Sequence, residues 1–205
     1  MGSQVDNGGL YESDAFARGG AVAVAFAVLG SSPAAAISTY KSWDGSQYVY
    51  PFGCPDTTTY GQVITVPKSK HTLSKFTFSW ANYGATGSMV VRGEVYAWDG
   101  TKATGSAIFE SSPKTISFGD SDFHKVSFSP TAPVTAGQYV IFATIDKDYE
   151  QCTGDYLLKW GLVDDSAYSK GTFVYQNNAG DEGQWTVTPW DTYGGDLAFK
   201  ASLQP

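Results

Sequence analysis

From residue 59 onward the chain is a series of short apolar or alternating runs separated by turn-forming residues. The runs Thr59–Val66, Leu73–Trp80, Met89–Trp98, Lys114–Phe118, Phe123–Phe128, Gln138–Ile145, Tyr156–Leu162, Thr172–Gln176, Gln184–Thr188 and Asp196–Leu203 predict strands. No stretch after Ala36 carries the period of about 3.6 residues that marks an amphipathic helix. In the last run Leu197, Phe199, Ala201 and Leu203 share one face, and Asp196, Ala198, Lys200 and Ser202 share the other. That alternation predicts a sheet with one wet face. Gln138–Ile145 is apolar on both faces and predicts a central strand. Asp99-Gly100 supplies the positive φ of a tight hairpin, with the connection running on to Gly105. Pro130 and Pro133 exclude a central strand between them. The pattern as a whole predicts an all-β fold, an antiparallel two-sheet β-sandwich of jelly-roll-like type.

The N-terminal part has a different pattern. Residues 20–36 read GAVAVAFAVLGSSPAAA: an apolar run from Ala21 to Leu29, a Gly-Ser-Ser-Pro break, then Ala34-Ala35-Ala36. This is the layout of a secretory signal, an apolar core of about seven to fifteen residues followed by an A-x-A site. The run is too short to span a bilayer, which takes about 20 apolar residues. Against the signal reading, Asp6, Glu12 and Asp14 outnumber Arg18 ahead of the run. The alternative is a strand, because Val22, Val24, Phe26 and Val28 alternate with alanine. Such a strand would let residues 21–29 join copies of the chain by donor-strand exchange, extending into a filament. The signal reading is the preferred one. It divides the chain into an N-terminal segment, 1–36, and a single β-sandwich domain, 37–205, that is secreted to the extracellular space or cell surface.

Net charge is −7, and residues 1–36 account for three acids and one base. Lys and Arg are scattered along the sequence without a basic run, which argues against nucleic acid and against an anionic membrane surface as partners. Two cysteines, Cys54 and Cys152, in an exported strand-rich chain predict one disulfide closing a loop of about 100 residues. Neither has a second cysteine at zinc-site spacing, and His71 and His124 are the only histidines.

Hydrolase, metalloprotease, phosphate-loop and dinucleotide motifs are absent. The carboxylate pairs Asp120/Asp122, Asp146/Asp148, Asp164/Asp165 and Asp181/Glu182 fall in polar, turn-like stretches. No cofactor is expected. A structural calcium in such loops stays open, with no ligands assigned and the metal content unknown. The aromatics carry more. Trp185, Trp190 and Tyr193 lie within nine residues, Tyr48, Tyr50 and Phe52 form a second group, and Tyr149, Tyr156 and Trp160 a third. Exposed Trp or Tyr faces stack on sugar rings, and Trp185, Trp190 and Tyr193 are the candidate ligand-binding residues. Trp98 and Trp160, inside strand runs, are expected in the core.

The stretches YGQVITVP (60–67), VYAWDGTKATGSAIFES (95–111), TAGQYVIFAT (135–144), DDSAYSKGTFVYQNNAGD (164–181) and DLAFKASL (196–203) resemble secreted bacterial β-sandwich proteins of the group often carrying PEP-CTERM-type sorting signals. The resemblance implies export and a jelly-roll-like domain, and brings no activity or catalytic residues with it. The sequence ends Ser202-Leu203-Gln204-Pro205 without the PEP motif, apolar helix and basic tail of that group, so release or non-covalent retention is expected rather than a membrane anchor. The expected function is a secreted, non-enzymatic module recognising glycan or polysaccharide. A structural filament subunit and a hydrolase with a loop-borne site are the alternatives.

Overall fold

The computed structural model describes residues 35–84, 86–152 and 156–205. The described residues form one compact unit. In chain order the strands are β1 (Ala35–Ser38), β2 (Tyr48–Phe52), β3 (Thr59–Val66), β4 (Thr72–Asn82), β5 (Met89–Trp98), β6 (Ala103–Glu110), β7 (Lys114–Ile116), β8 (His124–Phe128), β9 (Ala132–Pro133), β10 (Gly137–Thr144), β11 (Leu158–Val163), β12 (Phe173–Gln176), β13 (Asp191–Thr192), β14 (Asp196–Leu197) and β15 (Phe199–Gln204). One helical turn, α1 (Gln184–Val187), lies between β12 and β13. The segment 21–29, read as a signal core or donor strand, lies outside the described residues.

Two antiparallel sheets pack face to face as a β-sandwich. Sheet A runs β1-β15-β4-β11-β14, with β8 and β9 also on β4 and β2 also on β11. Sheet B runs β13-β12-β3-β10-β5-β6, with β7 also on β5. β4 is the axis of sheet A: β15 and β11 follow one another along one edge, β9 and β8 along the other. β1 pairs Ala35 with Leu203 and Ala36 with Ser202, so the sheet takes in two residues that the sequence reading placed in the N-terminal segment.

The space between the sheets is filled by aromatic side chains. Phe76, Phe78, Trp80, Trp160 and Phe199 of sheet A meet Tyr60, Ile64, Val95, Ile141 and Phe173 of sheet B, all buried. Trp80 and Trp160 lie 4.5 Å apart between ring centroids. As expected, β10 is central, hydrogen-bonded to β3 and β5. Its second face is dry as well, because Val140 and Phe142 lie under a smaller cluster formed with Tyr96, Trp185 and Trp190. The outer face of sheet B is thus covered by the chain's own α1 region.

Two local expectations are corrected. Gln184–Thr188 contains the turn α1, not a strand. Asp181 directs it, accepting from Gly183 N at 3.0 Å and, through its carbonyl, from Gln184 N at 3.1 Å. Asp196 and Ala198 do not face water but are buried. Asp196 accepts from Gln62 Nε2 on β3 and from Tyr168 N, each at 2.8 Å, while Leu197 N donates to Gln62 Oε1 at 2.8 Å. This satisfied polar group ties sheet A to sheet B, and burial of a carboxylate is tolerable only with such partners. The hairpin at Asp99-Gly100 is present, with Gly100 at φ +107° and Asp99 Oδ1 accepting from Thr101 N and Lys102 N.

Cys54 and Cys152 form the predicted disulfide, with Cα atoms 6.2 Å apart. It ties the segment between β2 and β3 to the end of the 3-10 turn Asp146–Gln151. Among the described residues no helix is long and apolar enough to cross a membrane.

Candidate functional site

The structure separates the three sequence-predicted binding residues. Trp185 is 2% and Trp190 6% exposed, both in the cluster on the outer face of sheet B. The Trp185 ring meets Phe142 edge-on at 5.0 Å, and Trp190 meets Phe142 at 5.2 Å and Trp98 at 5.7 Å. Their indole N–H groups are used internally: Trp185 Nε1 donates to Asp146 Oδ2 at 2.8 Å and Trp190 Nε1 to the Trp185 carbonyl at 2.9 Å. Neither ring face is open to a ligand, so the expectation that they stack on sugar is corrected. The reason lies in α1, which turns Trp185 inward where a strand would have left a choice of faces.

Tyr193, the third residue, is 52% exposed. It lines a cavity of about 140 Å³ with Tyr50, Thr57, Tyr60, Tyr175 and Asn177, where β2 of sheet A approaches β3 and β12 of sheet B. The cavity walls are mainly aromatic and the polar groups few, the composition of a small-molecule site. Tyr60 Oη donates to the Pro51 carbonyl at 3.0 Å, and Thr57 Oγ1 donates to Asn177 Oδ1 at 2.7 Å. The Asn177 amide nitrogen has no partner among the described residues. Burial raises the Tyr60 hydroxyl well above the usual phenol range, with Tyr175 and Tyr193 adding to it. The Tyr60 phenol therefore stays neutral, and its proton is given to the Pro51 carbonyl.

Tyr50 continues this site onto the surface. It stacks on Tyr83 at 4.0 Å with an interplanar angle of 29°, and Tyr48 stands 5.8 Å from Tyr50 and 6.3 Å from Tyr83. All three are exposed, between 37% for Tyr83 and 49% for Tyr50. The Tyr83 hydroxyl is raised to about 12, first by its hydrogen bond with Tyr50 and then by desolvation. In β2 Tyr48 and Tyr50 lie outside while Val49 and Phe52 are buried, an irregularity in the pairing with β11 taking Phe52 out of phase with the two tyrosines. The sequence does not single out Tyr83. It sits just past β4, and its N donates to the Leu157 carbonyl, a pairing that only the fold brings about.

Groups suited to catalysis are placed elsewhere. His124 Nε2, at the start of β8, stands 2.7 Å from Asp120 Oδ1 in the loop before it, with the imidazole stacked on Phe118 at 4.4 Å. Asp148 is held by Arg92 Nε at 2.8 Å, and Asp181 is spent on α1. Glu94 is a strongly perturbed carboxyl. Burial pushes it up to about 8, against the opposing charges of Lys147 and Arg92. Lys147 Nζ stands 4.0 Å from it and also bridges Glu110 and Glu182. A carboxyl shifted by burial marks a candidate acid, but Glu94 has no exposed surface and does not line the tyrosine cavity. Among the described residues no three His, Cys, Asp or Glu side chains are grouped to hold a metal ion.

No family model, curated protein or solved structure matches this chain. The functional reading therefore rests on the site itself.

Proposed function

We propose that this protein is a secreted, non-catalytic recognition module that binds glycan through the tyrosine surface formed by Tyr48, Tyr50, Tyr83 and Tyr193. The observation that carries the reading is the placement of Tyr50, which both stacks on Tyr83 at the surface and forms a wall of the cavity of about 140 Å³ that Tyr193 also lines. An exposed aromatic pair beside a cavity with a few amide and hydroxyl groups offers a ring face for the apolar side of a sugar and a polar rim for its hydroxyls. Tyrosine suits this because it presents contact area at low conformational cost. The disulfide is compatible with an oxidising compartment, and the sequence layout of residues 20–36 supports export.

The test is a glycan array followed by calorimetry with wild type, Tyr50→Ala and Tyr193→Ala. One lost ring contact is worth about 1 kcal/mol, so each variant is expected to bind about fivefold more weakly with unchanged unfolding midpoints. Absence of any glycan binding by wild type, or equal affinity in all three proteins, rules the reading out.

A further inference from the structure

The sequence shows the basic residues as scattered, but the sheet register gathers three of them, and the turn after β1 adds Lys41. Lys41, Lys75, Lys125 and Lys200 line a concavity of about 750 Å³ on the outer face of sheet A. No Asp or Glu is among the described residues that line it, on a chain whose net charge is −7. The cause is a cross-strand pattern. Ser38, Lys200, Thr77 and Ser127 stand in one row across β1, β15, β4 and β8. Lys75 faces Ser202 one rung away, which makes Lys75 and Lys200 diagonal neighbours on adjacent strands. Lys125 faces Ser79 on the far side of β4. Like charges in such positions repel, at a distance of about 7–8 Å, and a bound anion would relieve that repulsion.

This face is joined to the tyrosines by an unbroken line of cation and ring contacts. Lys125 Nζ lies 4.7 Å from the Tyr40 ring centre, and Tyr40 lies 6.4 Å from Trp43. Trp43 meets Phe123 edge-on at 4.9 Å. Lys159 Nζ then stands 5.2 Å from Phe123 and 5.0 Å from Tyr48, which neighbours Tyr50.

We propose that the outer face of sheet A binds an anionic polysaccharide, whose carboxylate or sulfate groups are held by Lys41, Lys75, Lys125 and Lys200 and whose rings pass along Tyr40 and Trp43 toward Tyr48. The inference rests on the glycan reading of the tyrosine surface for the identity of the polymer. Charge spacing separates this polymer from nucleic acid. Duplex DNA carries one charge per about 1.7 Å and takes densely clustered cations, whereas these lysines are interrupted by hydroxyls and rings, as suits a chain with its charges spread over sugar units. Contact between lysine and anion survives at physiological salt, where the acids elsewhere on the chain are screened beyond about 8 Å.

The experiment measures retention of the full chain on polygalacturonate, dextran sulfate, neutral dextran and single-stranded oligo-dT, at low and raised salt. The variants are Lys75→Gln/Lys125→Gln/Lys200→Gln, the single Lys200→Gln, and a control, Lys68→Gln/Lys102→Gln/Lys170→Gln, outside the concavity. Wild type and control are expected to bind at least one of the two acidic polysaccharides, more weakly as salt rises. The triple variant should lose at least tenfold and Lys200→Gln about threefold, the latter serving if the triple variant does not fold. The arm that binds says whether carboxylate or sulfate is the group recognised. Failure of wild type to bind either acidic polymer, equal affinity of Lys200→Gln and wild type, or tighter binding of oligo-dT than of both polysaccharides overturns the proposal. Tyr50→Ala in the same assay keeps the two readings apart. Neutral glycan binding that is lost in Tyr50→Ala but kept in the lysine variants, without acidic binding, leaves the tyrosine reading standing while this one falls.

Discussion

The indole Nε1–H of Trp185 donates to Asp146 Oδ2 at 2.8 Å, joining α1 to the residue that follows β10 by two positions. Asp146 Oδ2 also accepts from Thr59 Oγ1 at 3.1 Å and from Asn178 Nδ2, so one buried carboxylate oxygen gathers β3, α1 and the loop before it. Trp185→Phe keeps most of the ring and removes that donor. It should cost about 1–3 kcal/mol, and Trp185→Ala about 3–5 kcal/mol. Urea unfolding measures both, with glycan affinity per folded molecule unchanged. A loss of affinity at constant stability would return Trp185 to the binding surface.

The Cys54–Cys152 bond spans 98 positions. In the chain-entropy account a loop of that size contributes about 4–5 kcal/mol. Cys54→Ser/Cys152→Ser should unfold at lower urea than the oxidised protein, and wild type in reductant should match the double variant. Coincident curves for all three would show that the bond constrains nothing in the unfolded chain.

Glu94 makes stability depend on pH. Its carboxyl, pushed up by burial to about 8, stays protonated in the folded protein while the unfolded chain ionises near the ordinary carboxylate value. The unfolded state therefore binds fewer protons across that window. The contribution is complete below the ordinary carboxylate range and is lost as pH rises toward and through about 8. Glu94→Gln, which cannot ionise, should flatten this slope and gain on wild type by on the order of 3 kcal/mol between pH 5 and 8. Parallel stability–pH profiles for the two proteins would contradict it.

Gly161 lets the Trp43 ring approach sheet A closely. A Cβ there would come within 2.7 Å of Trp43 Cζ2 and 2.8 Å of Ala198 Cβ. Gly161→Ala should cost about 1–3 kcal/mol through overpacking and lift Trp43 away from Phe123. A red-shifted tryptophan emission, absent in Gly161→Ala/Trp43→Phe, would report the displacement. An unshifted spectrum with normal stability would mean that the sheet yields instead.

Strands β3 and β5 have the bounds read from the sequence, because Tyr60–Val66 and Met89–Trp98 are dense in β-branched and aromatic residues that pack on both faces. β6 was hidden. Ala103–Glu110 opens with Ala-Thr-Gly-Ser, and its strand character comes from pairing with β5. Residues 184–187 could not be distinguished from a strand, since four residues satisfy a period of two as well as one helical turn. The tyrosine site was half legible: Tyr48, Tyr50 and Tyr193 stand out as aromatics near turns, while Tyr83 joins them only because β11 pairs with β4 on one side and with β2 on the other. The lysine face was not legible at all. Lys75, Lys125 and Lys200 lie on three distant segments, and their meeting is set by two strand registers that a linear reading does not contain.

The position of β15 between β1 and β4 has a consequence for how the chain is made. Synthesis delivers β1 and β4 long before residues 199–204, and Phe199, Ala201 and Leu203 are all buried. Until those residues arrive, the slot between β1 and β4 stays empty, and two strand edges with an apolar face wait unpaired. Such edges recruit other chains. A nascent or stalled molecule of this protein is therefore most prone to aggregate while β15 has yet to emerge, and a chaperone acting on it would have most to do until then.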